Sequence, residues 1–247
     1  MTITAIIGGT GLNALPGFSI QEERQASTDW GTPSAALRFG SFHGTPCVFL
    51  PRHGDGHRLP PHLINYRANI RALADAGIRY VLAVAAVGGI RSDLPPGVVA
   101  LPDQIIDYSW GRPGTFWDAE HADESLHIDS TTPFSTQLRE VLIESGADLP
   151  LVTDGTYGVT QGPRLETTAE IRRMRQDGCD MVGMTCMPEA ALAREAGLEY
   201  ACIAVSVNWA AGIGDTDIHA EIEASLATGM GTVQALLQAT LPRLQGA

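Results

Sequence analysis

Apolar positions along this chain fall into two kinds of run. Residues 2–7, 46–50, 80–86, 98–101, 181–184 and 199–207 form short apolar stretches that are continuous rather than alternating, the pattern of strands covered on both faces. Between them, residues 65–76, 135–145, 167–177 and 188–196 carry apolar side chains at helical spacing, and a glycine follows each: Gly77, Gly146, Gly178 and Gly197. Glycine takes the left-handed conformation after a helix at least steric cost, so four helix ends are predicted there. A last helix is expected over about residues 221–237. Strand and helix alternate, which predicts an α/β sandwich with a largely parallel sheet. Residues 107–126 set Trp110, Phe116 and Trp117 among Gly, Pro and charged residues, and a loop of that length is more often functional than idle.

Composition narrows the class. A chain of 247 residues, 44% hydrophobic and 18% charged, fits one domain over 1–247 with a sizeable core. Its net charge of −12 argues against a nucleic-acid partner, which would demand many Lys and Arg against phosphates. Cys47, Cys179, Cys186 and Cys202 form no C-x-x-C pair and no signal peptide precedes the first strand, so a cytoplasmic setting is expected. No apolar stretch reaches the roughly 18 residues that would span a membrane.

Four segments carry candidate chemistry. Gly9-x-Gly11-x-x-Ala14 follows the first strand and loosely matches a dinucleotide fingerprint, but Leu15-Pro16-Gly17 interrupts the helix that fingerprint requires. The same turn serves as a small-anion nest, with N–H groups and the Thr10 hydroxyl aimed at a phosphate. Arg52-His53-Gly54-Asp55-Gly56-His57 sits between prolines. An Arg fork beside a His suits phosphate oxygens, and a metal site on His53, Asp55 and His57 is the competing reading, although a loop aligns no two imidazoles. Gln161-Gly162-Pro163-Arg164-Leu165-Glu166 lies between strand and helix and would put Glu166 in the first helical turn, where a carboxylate is favoured. Gly183-Met184-Thr185-Cys186-Met187-Pro188-Glu189 repeats that strand-to-helix arrangement. Cys186 as a nucleophile lacks a neighbouring His and a polar setting.

Taken together with Asn65-Tyr66-Arg67-Ala68-Asn69, these motifs resemble, in family order over about residues 6–229, the methylthioadenosine phosphorylase branch of the purine nucleoside phosphorylases. The resemblance implies a three-layer α/β fold with a central mixed, twisted sheet flanked by helices. It also implies a homotrimer that splits a nucleoside with inorganic phosphate and uses no metal or organic cofactor. Phosphate would lie against Thr10, Arg52, His53, Thr185 and the Ala86 N–H, with Met184 beneath the ribose. Two positions depart from the family: Ala85 stands where a hydroxyl is usual, and Leu165 replaces the aromatic residue that stacks on the base.

The base-facing positions select among purines. Relatives that accept adenine carry Asp at the places of Asn208 and Ala210, whereas those that accept hypoxanthine or guanine resemble this chain, with Asn at 208 and Glu at 166. A 6-oxopurine has a proton on N1 that the Glu166 carboxylate can accept, while adenine would oppose it with a lone pair. Asn208 would donate to N7 or O6 as the purine leaves, so Asn208, Arg52 and His53 are the expected catalytic groups. At the other end of the sugar, Ile222 replaces the His that ordinary 6-oxopurine phosphorylases aim at the 5′-hydroxyl. His127 resembles the residue that the methylthio branch borrows from a neighbouring subunit. The expected substrate is 5′-methylthioinosine, with methylthioadenosine or an ordinary 6-oxopurine nucleoside as alternatives. A hydrolase and a non-catalytic nucleoside-binding protein remain open as other classes.

Overall fold

The computed structural model describes residues 3–10, 12, 15–117, 127–214 and 218–245; the side chains of residues 3 and 218–224 are outside that description. Strands β1 (Ile3–Gly8), β2 (Phe18–Arg24), β3 (Leu37–Phe42) and β4 (Thr45–Pro51) come first, followed by α1 (Tyr66–Asp75) and the long β5 (Ile78–Gly89). Then follow β6 (Val99–Ala100), β7 (Gln104–Asp107), α2 (Thr136–Ser145), β8 (Leu151–Val152), β9 (Thr156–Val159), α3 (Thr168–Gln176), β10 (Met181–Gly183), α4 (Cys186–Glu195), β11 (Glu199–Trp209) and α5 (Ile218–Leu244).

One sheet carries all of these strands. It is mixed, as the family resemblance implies, rather than largely parallel as the alternation of runs predicts. β5 is parallel to β1 and β11, but β10 pairs with it antiparallel, and the β2–β3–β4 meander is antiparallel too. The meander strands were hard to foresee because β2 is an exposed edge with little apolar burial. Period-two alternation is hidden inside the apolar runs: Val81, Ala83, Ala85 and Val87 of β5 face α1 and α4, whereas Tyr80, Leu82 and Val84 face α2 and α5. The result is three layers, with helices burying both faces of the central strands. Among the described residues no helix is long and apolar enough to cross a membrane.

Helix boundaries follow local chemistry. Asn65, Ser135 and Thr167 cap α1, α2 and α3, each accepting a backbone N–H with its side chain. Gly77, Gly178 and Gly197 take positive φ as expected, but Gly146 does not, with φ −101°. Its need is space, because a Cβ there would stand 2.3 Å from Leu151 Cδ1.

Candidate active site

The site originates in a break in the sheet. β1 pairs with one edge of β5 as far as Ala83, and β10 pairs with that same edge at Gly88 and Gly89, running the opposite way. Residues 84–87 of β5 are therefore left without a strand on that edge, while β11 continues along the other. The chain ends of β1, β4, β10 and β11 converge on this gap, the kind of crevice where α/β sheets hold ligands. A cavity of about 190 Å³ fills it.

Gly9, Thr10, Arg52, His53, Ala86 and Thr185 are among the residues lining the cavity. Arg52, 1% exposed, donates from Nε and Nη2 to the two oxygens of Glu189 at 2.8 Å each, and from Nη1 to Val84 O at 2.7 Å. It thus satisfies a carbonyl that the sheet break orphans, and two of its five N–H groups remain. Gly9 makes this possible: a Cβ there would sit 2.8 Å from Arg52 Nη1. Burial opposes the guanidinium charge, and the Glu189 carboxylate more than compensates, so Arg52 stays charged. Because Val84 O faces the gap, strand alternation turns the Ala86 N–H to the same edge. Thr185 holds the cap position of α4, yet its hydroxyl makes no capping bond.

His53 is fixed in one tautomer. Its Nδ1 lies 2.8 Å from Leu59 O, which can only accept, so Nδ1 carries the hydrogen. Burial, followed by the neighbouring Arg52 charge, pushes its pKa down to about 4. Nε2 is then a lone pair, suited to a P–OH hydrogen rather than to a bare phosphate oxygen.

Leu165, Glu166, Asn208, Ala210 and Met184 line it as well, and a Cβ at Gly88 would stand 3.3 Å from Asn208 Nδ2 and from Ala210 Cα. Glu166 accepts a 2.6 Å bond from the Thr160 hydroxyl. It stands one residue before the Thr167 cap, outside the first turn where the sequence pattern put it. Glu170 holds the place of that acid instead, completing a capping box with Thr167. Glu166 also borders a wider groove beside Tyr108 and Trp110. Asn208 donates 2.6 Å to Trp209 O, leaving its second N–H and Oδ1. Leu165 is 42% exposed, at the mouth.

Some expected positions fall elsewhere. Ala85 is buried in the core facing α1 and α4 and does not line the cavity. His127 is exposed and is not among the residues lining this cavity, and the Ile222 side chain is outside the described residues.

The competing readings lose their geometry. The element after β1 is a strand, not a crossover helix. His57 stacks on His53 while Asp55 pairs with Arg38, so the three groups do not converge on a metal. Cys186 is 1% exposed, and burial raises its thiol pKa well above the usual range, which leaves it inert as a nucleophile.

Four participants escaped the sequence reading. Glu189 had a signal, an acid six residues after the end of β10 and near the start of α4, but nothing in sequence pairs it with Arg52. Tyr200, which donates 2.8 Å to Glu189, reads as a core aromatic. Thr160 reads as the polar end of a strand. Arg112, in the loop after β7, reaches the backbone around Met184 and Thr160, and no periodicity marks it.

Comparison with known proteins shows the family. Residues 4–242 match the family described as the Phosphorylase superfamily, and the chain belongs to it. It is 50% identical over 244 residues, 98% of this chain and 95% of the relative, to a probable S-methyl-5′-thioinosine phosphorylase of Xanthomonas campestris pv. campestris. It is 39% identical, over 96% of this chain and 91% of the relative, to the 6-oxopurine nucleoside phosphorylase of Pyrococcus furiosus. Among solved structures, methylthioadenosine phosphorylase from Schistosoma mansoni in complex with adenine superposes with a TM-score of 0.92 at 31% identity, covering 100% of this chain and 93% of that one. The fold is the one these phosphorylases share, and the chain is an enzyme of that class.

Proposed function

We propose that the protein phosphorolyses 5′-methylthioinosine to hypoxanthine and 5-methylthioribose 1-phosphate. The observation that carries this reading is one cavity lined by Glu166 and Asn208, by Thr10, Arg52, His53 and Thr185, and by Met184. The similarity to proteins named S-methyl-5′-thioinosine phosphorylase supports the choice of substrate.

In this reading the C1′–N9 bond breaks as a phosphate oxygen forms its bond to C1′. The electron pair of the broken bond leaves on the purine, which takes up a proton, and the sugar keeps the phosphate. Glu166, steadied by Thr160, accepts the N1 hydrogen of hypoxanthine. The free N–H of Asn208 donates to O6 and its Oδ1 accepts from N7 once N7 takes up the proton, and a donor of this kind stabilises charge as it builds on the leaving group. Arg52, Thr10, Thr185 and the Ala86 N–H hold phosphate oxygens, and His53 Nε2 accepts the P–OH hydrogen. Their contribution is chiefly positioning. An apolar wall at Ile222 would shelter the methylthio group, at roughly 0.8 kcal/mol per buried carbon.

The same reading takes phosphate as co-substrate with no metal or organic cofactor, a homotrimer in which His127 of a neighbour completes the sugar site, and a cytoplasmic setting. The four unpaired, buried cysteines support the last point. Product analysis tests the chemistry: incubation with methylthioinosine and phosphate is expected to yield a sugar 1-phosphate in step with hypoxanthine. Free methylthioribose at the same rate without phosphate would make the protein a hydrolase.

A further inference from the structure

Arg112 lies in the loop between β7 and α2, outside the lining of the cavity. Its Nη1 donates to Met184 O and Met187 O at 2.7 Å each. Its Nη2 donates to Thr160 O at 3.1 Å and to Gln161 O at 2.8 Å, and Nε donates to Gln161 Oε1 at 3.2 Å. A guanidinium has five N–H groups, and all five are used. None is left for a ligand.

The acceptors come from two separate turns. One follows β10 and carries Met184 and Thr185; the other follows β9 and carries Thr160, whose hydroxyl holds Glu166. These turns form the sugar-facing and base-facing walls. The loop is itself anchored at the far end of α4, where Glu195 accepts from Phe116 N at 2.7 Å and Thr115 Oγ1 at 3.1 Å. The strands before these turns pair, with Val159 opposite Gly183, and Thr160 donates to Gly183 O from N at 2.8 Å and from its hydroxyl at 3.4 Å; Arg112 braces the two turns beyond the end of that ladder.

We propose that Arg112 is a positioning residue that holds the sugar-facing wall against the base-facing wall beyond the end of the β9–β10 ladder and, through Thr160 and Glu166, sets the preference among purines. The inference deepens the phosphorolysis reading and rests on it for its kinetic test. A misplacement of about 1 Å can cost on the order of 100-fold in rate, so Arg112→Ala should lose about that factor in kcat/KM for methylthioinosine. A merely structural residue would lower melting temperature and activity on all nucleosides alike. Loss of a brace should also narrow the ratio of methylthioinosine to methylthioadenosine turnover, by roughly tenfold given what an aligned polar contact is worth in specificity. Added guanidinium ion at millimolar level should restore both quantities in Arg112→Ala, because it refits the vacated carbonyls.

The experiment measures kcat, KM and that ratio for Arg112→Ala and Arg112→Lys below their melting temperatures, with hypoxanthine affinity by calorimetry. Lys brings three donors and should fall between Ala and the parent, which keeps the test alive if Ala fails to fold. Kinetics within threefold of the parent, or a large loss with an unchanged purine ratio, would overturn the proposal. If the parent binds hypoxanthine but makes no sugar 1-phosphate, the phosphorolysis reading fails, and Arg112 is then judged by calorimetry. The expected result is a hypoxanthine Kd raised about tenfold, equivalent to about 1.4 kcal/mol; an unchanged Kd overturns the inference.

Discussion

Arg52 and Glu189, 137 residues apart in sequence, meet through two 2.8 Å hydrogen bonds while 1% and 0% of their side chains reach solvent. The pair sits at the cavity wall, and Tyr200 adds a third bond to the carboxylate. Such a pair offsets its own desolvation only while both partners are present. Glu189→Ala should therefore destabilise the fold by about 3–5 kcal/mol, read as a shift in urea midpoint. A loss below about 1 kcal/mol would mean that water replaces the carboxylate at no cost.

Glu166→Gln converts one acceptor oxygen into a donor. It should leave phosphate KM near the parent value and erode the preference for 6-oxopurines over adenine by about ten- to hundredfold. Competition between hypoxanthine and adenine nucleosides gives the ratio directly. An unaltered ratio would remove Glu166 from base selection and turn attention to the groove on its other side.

Asn208→Asp removes the free N–H that the proposed reading assigns to the purine. Turnover of 6-oxopurine nucleosides should fall about 10²- to 10³-fold, the usual cost of losing one preorganised donor, while relative activity on adenine nucleosides rises. Steady-state kinetics on both substrates check it. A drop that is equal for both purines would show that Asn208 has no part in base selection.

How far the sequence reveals this molecule depends on which interactions are local. The buried strands and the helical segments beginning at residues 65, 135 and 167 were legible because each rests on neighbours a few residues away. The antiparallel approach of β10 to β5 was not, since a three-residue strand carries no direction in its composition. That approach opens the cavity. Thr10, Arg52, His53, Glu166, Thr185 and Asn208 could be named from motif order, but the partners that hold them, Glu189, Thr160 and Arg112, are defined by contacts 137, 6 and 72 residues away.

Protonation of His53 should appear in the pH dependence of stability. Its folded pKa, pushed down to about 4 by burial and then by Arg52, lies below the unfolded value of 6.5. Below pH 6.5 the unfolded chain takes a proton that the folded chain refuses. The contribution is complete above pH 6.5, declines as pH falls, and is gone below about pH 4. Between pH 7 and pH 5 it amounts to about 2 kcal/mol, and His57, lowered by burial, adds in the same direction. Denaturation of the parent and of His53→Asn at both pH values should give a smaller loss in the variant. Equal losses would assign the acid sensitivity to other groups.

The most direct measurement compares kcat/KM for methylthioinosine, methylthioadenosine and inosine at saturating phosphate. The expected order places methylthioinosine first, with methylthioadenosine reduced by the Glu166 and Asn208 pairing and inosine by an apolar 5′ wall. Faster cleavage of methylthioadenosine would contradict the base site as described, and inosine equal to methylthioinosine would contradict the 5′ site.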